Sequence, residues 1–395
     1  MYKKIKYPYT KHSLSNSDIN SVTHALKSNF ITGGDYVSKF EKKLSDYVSS
    51  KYCSLVSSGT SALHLSLLAI GIRKGDKVIV PSITFVATAN AVKMCEGEVI
   101  FCDVNPLTGL IDINHLSELI KKEKNIKCVM PVHLNGKSCD MKRIKSICLK
   151  NKIFIIDDCC HALGGTYDSK KIGSGIYSDI STFSFHPAKI ITTGEGGAIT
   201  TNNKQFYEKI NLLRSHGIQK NFQNFINLKN GFENNIPNLW YYEQQELGYN
   251  YRISDFQCAL GINQLKIIDK KTLKKNKLAS YYDELLENNK WISSSNFKNT
   301  HSSIHARHLY NVKLKKNYYK KRNSLMTFLL KFGIQTQVHY IPLYKHPFYK
   351  SLSKNILLKG AEKYYQSTLS LPMYETLNKQ DIKFIVSKIL HFFKE

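Results

Sequence analysis

No run of apolar residues in this chain is long enough to span a bilayer, so no membrane partner is expected. The stretch Met1–Lys11 is polar and basic and lacks the apolar core of a secretory signal, which places the protein in the cytoplasm as an expectation. The nine cysteines include no Cys-x-x-Cys pair, so the usual zinc and thioredoxin-type spacings are excluded. Vicinal Cys159 and Cys160 could bridge only with strain, and free thiols in a reducing compartment are expected. No repeat or low-complexity segment stands out. Acidic residues are few: 30 Asp and Glu against 57 Lys and Arg, a formal charge of +27. Such an excess raises a basic nucleic-acid-binding or regulatory protein as a rival reading. The lysines are spread along the whole chain, however, without a helix-turn-helix signature or a local arginine cluster, so no nucleic acid is expected as a partner.

What is present suits a globular protein. Of 395 residues, 42% are hydrophobic, enough for two or three domains. Strand-like runs at Tyr52–Val56, Lys77–Val80, Val99–Asp103, Lys127–His133, Ile153–Asp157, Asp179–Phe185 and Gly197–Thr201 alternate with helical patterns at Thr60–Ile70, Ala87–Met94, Asn114–Lys122, Met141–Lys150 and Lys204–Ser215. That alternation predicts an α/β fold with a mostly parallel sheet covered by helices, and ligands at the carboxyl ends of the strands. The polar stretch Gln219–Glu246 breaks the rhythm and reads as a long functional loop. One long helical pattern follows Ser254 and runs towards Asn288. Strand and helix pieces at His308–Leu314, Lys320–Lys331, Gln335–His339 and Asp381–Phe393 suggest a smaller α+β domain. The expected division is residues 1–260 and 261–395, with 1–35 packing on the smaller unit.

Three segments carry chemistry. Phe183 to Lys189 leads a strand into a tight turn stiffened by Pro187, with Gly194, Gly196 and Gly197 beyond it. A lysine held there, partly desolvated, is a nucleophile for an aldehyde carbon. Taken alone, Lys189 would read as one surface lysine among many. Ile155 to Gly164 is an apolar strand delivering Asp157 and Asp158 at its carboxyl end, with His161 three residues on. A pyridoxal ring needs one carboxylate against its nitrogen, so that the protonated ring acts as electron sink. Asp158 is the choice, His161 could lie near the ring, and Asp157 reads as a cap or buried acceptor. A metal reading of Asp157, Asp158 and His161 lacks a third ligand motif, and no metal is expected. Ser57–Ala62 places Gly59, Thr60 and Ser61 at a helix N-terminus, a ready anion site. The same residues would equally serve as ordinary caps. Phe85 could stack on a flat ring or simply pack in the core.

Taken together, Ser184-Phe185-His186-Pro187-Ala188-Lys189, the Asp158–His161 element and Leu247–Arg252, continuing into Asp255–Gly261, resemble the DegT/DnrJ/StrS family of sugar-nucleotide aminotransferases over nearly the whole chain. The resemblance implies a fold-type I pyridoxal 5'-phosphate-dependent transferase acting as a homodimer. It implies Lys189 as the Schiff-base lysine, Asp158 as the partner of the pyridine nitrogen, Thr60 and Ser184 on the phosphate, and Phe85 on the ring. Asn250 would reach the cofactor of the neighbouring subunit. Tyr241–Arg252 and Gln337–Pro342 are most similar to the subgroup that aminates C4 of a UDP-linked 4-keto-6-deoxy-N-acetylhexosamine in pseudaminic acid biosynthesis, with L-glutamate as amino donor. That likeness implies substrate contacts at Tyr9, Asn29, Phe30, Ile31, Thr32, Ser184, Asn250, Gln337, Val338, His339 and Tyr340. Ile190 departs from the subgroup, which usually has proline after the lysine, and the 219–246 loop is long. Another 4-keto-6-deoxy nucleotide sugar is the alternative substrate.

Overall fold

The computed structural model describes residues 4–294, 299–300, 302–352 and 356–394. Seven strands form the central sheet: β1 (Tyr52–Val56), β2 (Lys77–Pro81), β3 (Glu98–Cys102), β4 (Ile126–Val129), β5 (Phe154–Asp158), β6 (Ile180–Ser184) and β7 (Gly197–Thr201). Their order is β1-β7-β6-β5-β4-β2-β3. Pairings from β3 across to β6 are parallel, whereas β7 runs antiparallel to both β6 and β1. Most strands are buried along nearly their whole length, which is why they read as apolar runs rather than as alternating patterns. A strand buried on both faces needs helices on both sides, and the intervening segments supply them.

Two helices precede the sheet, α1 (Asn16–Leu26) and α2 (Asp35–Val48). Within the sheet region lie α3 (Gly59–Ala69), α4 (Val86–Met94), α5 (Ile113–Lys122), α6 (Met141–Lys150) and α7 (Lys204–Leu213). The helical pattern after Ser254 is broken in two, α8 (Asp255–Leu265) and α9 (Ile268–Leu285). Buried Asp255 begins α8 and accepts the amides of Gly34 and Tyr36, both at 2.9 Å. A carboxylate at a helix start thus pins the beginning of α2.

A second core lies around the antiparallel strands Ile292–Ser294, Tyr310–Leu314 and Thr368–Leu371, the helix Arg322–Lys331 and the final helix Lys379–Lys394. Leu278 and Tyr282 of α9 belong to it, and so does Tyr7, whose amide donates to Gly333 O at 2.9 Å. The expected strand at Gln335–His339 reduces to a single bridge, Gln337 to Ser370. The 219–246 stretch is a structured excursion. It leaves and returns through Ile218–Gln219 paired with Glu243–Gln244, and carries a small hairpin, Phe232–Glu233 with Ile236–Pro237. Among the described residues, no helix is long and apolar enough to cross a membrane.

Candidate active site

The carboxyl ends of β5 and β6, the starts of α3 and α4, and the segment 337–341 enclose a cavity of about 580 Å³. Lys189 and Asp158 both line it. Asp157 and Asp158 close β5, and strand alternation sends them to opposite faces. Asp158 is buried and held from two sides: Thr88 Oγ1 donates to Oδ2 at 2.9 Å, and the Cys160 amide donates to Oδ1 at 3.1 Å. Thr84 Oγ1 lies 2.9 Å from Thr88 Oγ1 and steadies that hydroxyl. The carboxylate is thereby aimed from both of its oxygens.

Lys189 follows the turn that ends β6. Its amide donates to His186 O at 2.8 Å, Thr192 Oγ1 donates to Phe185 O at 2.9 Å, and the Gly194 amide donates to Thr192 Oγ1 at 3.0 Å. Gly194 has φ of +82°, a conformation side chains disfavour. Burial lowers the Lys189 pKa from its usual value, opposed by the nearby Cys160 and Asp158. The amine is therefore shifted towards its neutral, nucleophilic form.

The start of α3 forms the third wall. Ser58 caps it, accepting the Ser61 amide at 3.0 Å, and Ser61 Oγ sits 3.0 Å from Ser57 Oγ and 2.8 Å from Ser58 Oγ. The amides at a helix start have no acceptor within the helix, and Gly59 and Thr60 stand at the cavity wall. A Cβ on Gly59 would lie 2.8 Å from Ser184 Cβ and 3.4 Å from Cys160 Sγ. Only glycine allows the helix start to come this close to the end of β6. Of the expected trio, Gly59 and Thr60 line the cavity, whereas Ser61 is spent on capping.

Opposite this wall lie the aromatic and imidazole groups. Phe85 is 55% exposed, and its ring centroid is 6.1 Å from that of Tyr340. His161 accepts the Asn135 amide at Nδ1 (3.4 Å), which places its proton on Nε2, 3.4 Å from the Tyr340 hydroxyl. Burial and the Lys189 charge keep His161 well below its ordinary value. The His308 ring lies tilted against it, with centroids 4.2 Å apart. Tyr9 packs 5.3 Å from His339, whose Nδ1 meets Ser370 Oγ at 2.7 Å. Burial and the Lys189 charge push His339 down to about 3.

Tyr9, Ser184 and Gln337–Tyr340 thus stand at one cavity with the lysine and the aspartate. Asn29, Phe30, Ile31 and Thr32 do not: they are exposed and lie off it. Asn250 is also exposed, bridged to Ser215, and does not line its own chain's cavity. Thr84, Thr88, Cys160, Glu195 and His308 line the site without having been singled out in the sequence. Thr88 follows Phe85 by one helical turn, which is the one local signal it carried.

These groups fit pyridoxal 5'-phosphate. The amine can bond its aldehyde, the held carboxylate can meet its ring nitrogen, and the glycine-gated helix start can take its phosphate.

Comparisons with known proteins agree. Residues 12–390 match the model of the DegT/DnrJ/EryC1/StrS aminotransferase family. The chain is 41% identical over 378 residues to a UDP-4-amino-4,6-dideoxy-N-acetyl-beta-L-altrosamine transaminase of Campylobacter jejuni, covering 95% of each chain. It is 32% identical over 380 residues to GDP-perosamine synthase of Caulobacter vibrioides, again covering 95% of each. Among solved structures, Helicobacter pylori PseC, an aminotransferase involved in biosynthesis of pseudoaminic acid, superposes with a TM-score of 0.89 at 30% identity, covering 98% of this chain and 99% of that one. The PLP-form of a putative sugar aminotransferase, Spr1654 of Streptococcus pneumoniae, gives 0.86 at 26% identity over 97% of both. With the family model spanning nearly its whole length, the chain belongs to the DegT/DnrJ/EryC1/StrS aminotransferase family.

Proposed function

We propose that this aminotransferase uses pyridoxal 5'-phosphate to move an amino group from L-glutamate to C4 of a UDP-linked 4-keto-6-deoxy-N-acetylhexosamine, in pseudaminic acid biosynthesis. The observation that carries the cofactor is that Lys189, the doubly held Asp158 and the gated start of α3 meet at one cavity. The sugar rests on the 41% identity to the altrosamine transaminase over 95% of both chains.

When bound, the cofactor supplies an aldehyde and an electron-accepting ring. Asp158 would hold the ring nitrogen, and Thr88 and the Cys160 amide keep its two oxygens from turning away. Phe85 offers the ring a flat apolar wall. Lys189 is neutral more readily than an ordinary lysine and would act as the base that takes the proton from the donor Cα. In the second half it delivers a proton to C4 of the sugar. Tyr9, Ser184 and Gln337–Tyr340 frame the space for that sugar. The basic excess favours approach of a diphosphate.

The active unit is a homodimer in this reading. Leu239, Trp240 and Leu247 are 100%, 74% and 77% exposed, on or beside the excursion that precedes Asn250. In this reading a second copy covers them and contributes its Asn250 to this chain's cavity.

The test is product analysis with UDP-linked 4-keto-6-deoxy-N-acetylhexosamines of both C5 configurations, alongside a GDP-linked 4-keto-6-deoxyhexose. Amination of the L-configured UDP sugar, with glutamate converted to 2-oxoglutarate, is expected. Preference for the GDP sugar would move the assignment to the perosamine branch.

A further inference from the structure

The two carboxylates at the end of β5 open on different spaces. Asp158 faces the large cavity, whereas Asp157 lines a separate small one of about 20 Å³, together with His133. Both Asp157 and His133 are almost fully buried. The Cys139 amide donates to His133 Nδ1 at 3.1 Å, so that nitrogen is an acceptor and the proton sits on Nε2. His133 Nε2 in turn lies 3.5 Å from Asp157 Oδ2. The same residue grips the neighbouring position through its backbone: the His133 amide donates to Asp158 O at 3.1 Å, and the Asp158 amide donates to Pro131 O at 2.9 Å. One histidine therefore holds the side chain of Asp157 and the main chain of Asp158.

We infer that His133 is a positioning residue for the reaction: by clamping Asp157 behind the sheet it fixes the strand end from which Asp158 is presented to the cofactor. This rests on the placing of the cofactor nitrogen at Asp158 given above.

The physical reason is the cost of a misplaced carboxylate. Asp157 Oδ1 is buried with no hydrogen-bond partner among the described residues, which leaves the His133 ring at Oδ2 as the contact that fixes the side chain. Fully buried Cys159 stands beside it. The ionisable groups that also line the small cavity are Tyr167, Lys170, Lys171 and Tyr177. Without the His133 ring, the buried Asp157 carboxylate must find a water or a new rotamer. Each route displaces the last residue pair of β5. Asp158 cannot follow without losing the Thr88 and Cys160 bonds that aim it.

Four variants test this: His133→Phe, His133→Gln, Asp157→Leu and Cys159→Ser. The readouts are affinity of the apo-protein for pyridoxal 5'-phosphate, by fluorescence titration, and the pH dependence of the bound cofactor's visible absorbance. His133→Phe removes the 3.5 Å imidazole–carboxylate contact and should weaken cofactor binding roughly tenfold or more. His133→Gln keeps a donor and should restore most of the affinity, which a purely space-filling role would not require. Asp157→Leu removes the clamp from the other side and covers the case in which His133→Phe does not fold. A folded His133→Phe or Asp157→Leu protein with parental affinity and absorbance profile would overturn the inference. So would a stoichiometric metal ion that is lost on Cys159→Ser, because His133, Asp157 and Cys159 offer ligand atoms within 4.8 Å of one another. A parent protein that binds no pyridoxal 5'-phosphate at all would instead sink the functional reading itself.

Discussion

Replacing Gly59 by alanine adds one methyl group at the tightest point of the site. The new carbon would sit 2.8 Å from Ser184 Cβ, 3.2 Å from Ser184 Oγ and 3.4 Å from Cys160 Sγ. Relaxed carbon contacts begin near about 3.5 Å, so roughly 0.7 Å of overlap must be relieved. Neither side yields easily. β6 is hydrogen-bonded to β5 and β7, and α3 is tied down by the Ser57, Ser58 and Ser61 hydroxyls. Overpacking of this kind costs about 1–3 kcal/mol, while alanine in place of glycine favours a helix by about 1 kcal/mol. The net loss of stability is therefore small, about 0–2 kcal/mol. Cofactor affinity should suffer more, because the displaced Gly59 and Thr60 amides are the ones assigned to the phosphate. Urea unfolding of the apo-protein measures the first quantity, and titration with pyridoxal 5'-phosphate the second. A near-parental unfolding curve with affinity down tenfold or more is the expected pair. Parental affinity in a folded Gly59→Ala protein would refute the placing of the phosphate at this helix start.

Other consequences are equally direct. Thr88→Val removes the 2.9 Å bond to Asp158 Oδ2; losing one bond to a charged acceptor, about 1.5–3 kcal/mol, should show as weaker cofactor binding with the fold retained, and an unchanged dissociation constant would count against Asp158 as the ring partner. If each site draws on two subunits, Lys189→Ala and Asn250→Ala proteins, each inactive alone, should regain partial activity when unfolded and refolded together; no recovery in mixed dimers would place Asn250 elsewhere. Burial lowers buried Lys275 from its usual 10.5 to about 8, so the folded state resists its charge. The penalty is full below about 8 and vanishes as pH rises past 10.5, so Lys275→Met should stabilise the protein by up to about 3 kcal/mol at pH 7 and far less at pH 10.5, read from unfolding midpoints at both pH values. An equal shift at both would contradict the reading of Lys275 as a buried cation.

The sheet was legible because its strands are buried on both faces and stand out as apolar runs. β1 and β7 coincide with the expected ranges, and β5 and β6 fall within one residue of theirs. Antiparallel β7 was not legible, since nothing in Gly197–Thr201 encodes direction. Helix α1 was missed for a different reason. α1 has only Asp18 and Ala25 buried, so it shows almost no apolar stripe, and its signal is the Ser15–Asp18 capping box. The break between α8 and α9 was hidden because apolar spacing continues through Leu265, Ile267 and Ile268. In the site, Lys189 and Asp158 were readable from strand ends and turn residues. Thr88 and His308 were not, because a helical threonine and a histidine far along the chain gain meaning only when folding brings them to Asp158 and His161. His133 escaped notice in the same way: its partner Asp157 read as a buried acceptor, without any indication of what donates to it.

The central claim is that Lys189, among the many lysines of this chain, bonds the cofactor. Borohydride reduction of the holoenzyme, proteolysis and mass spectrometry test it directly. A phosphopyridoxyl group confined to the peptide containing Lys189, and absent from the Lys189→Ala protein, is the predicted result. A label on another lysine, or undiminished visible absorbance in Lys189→Ala, would contradict it.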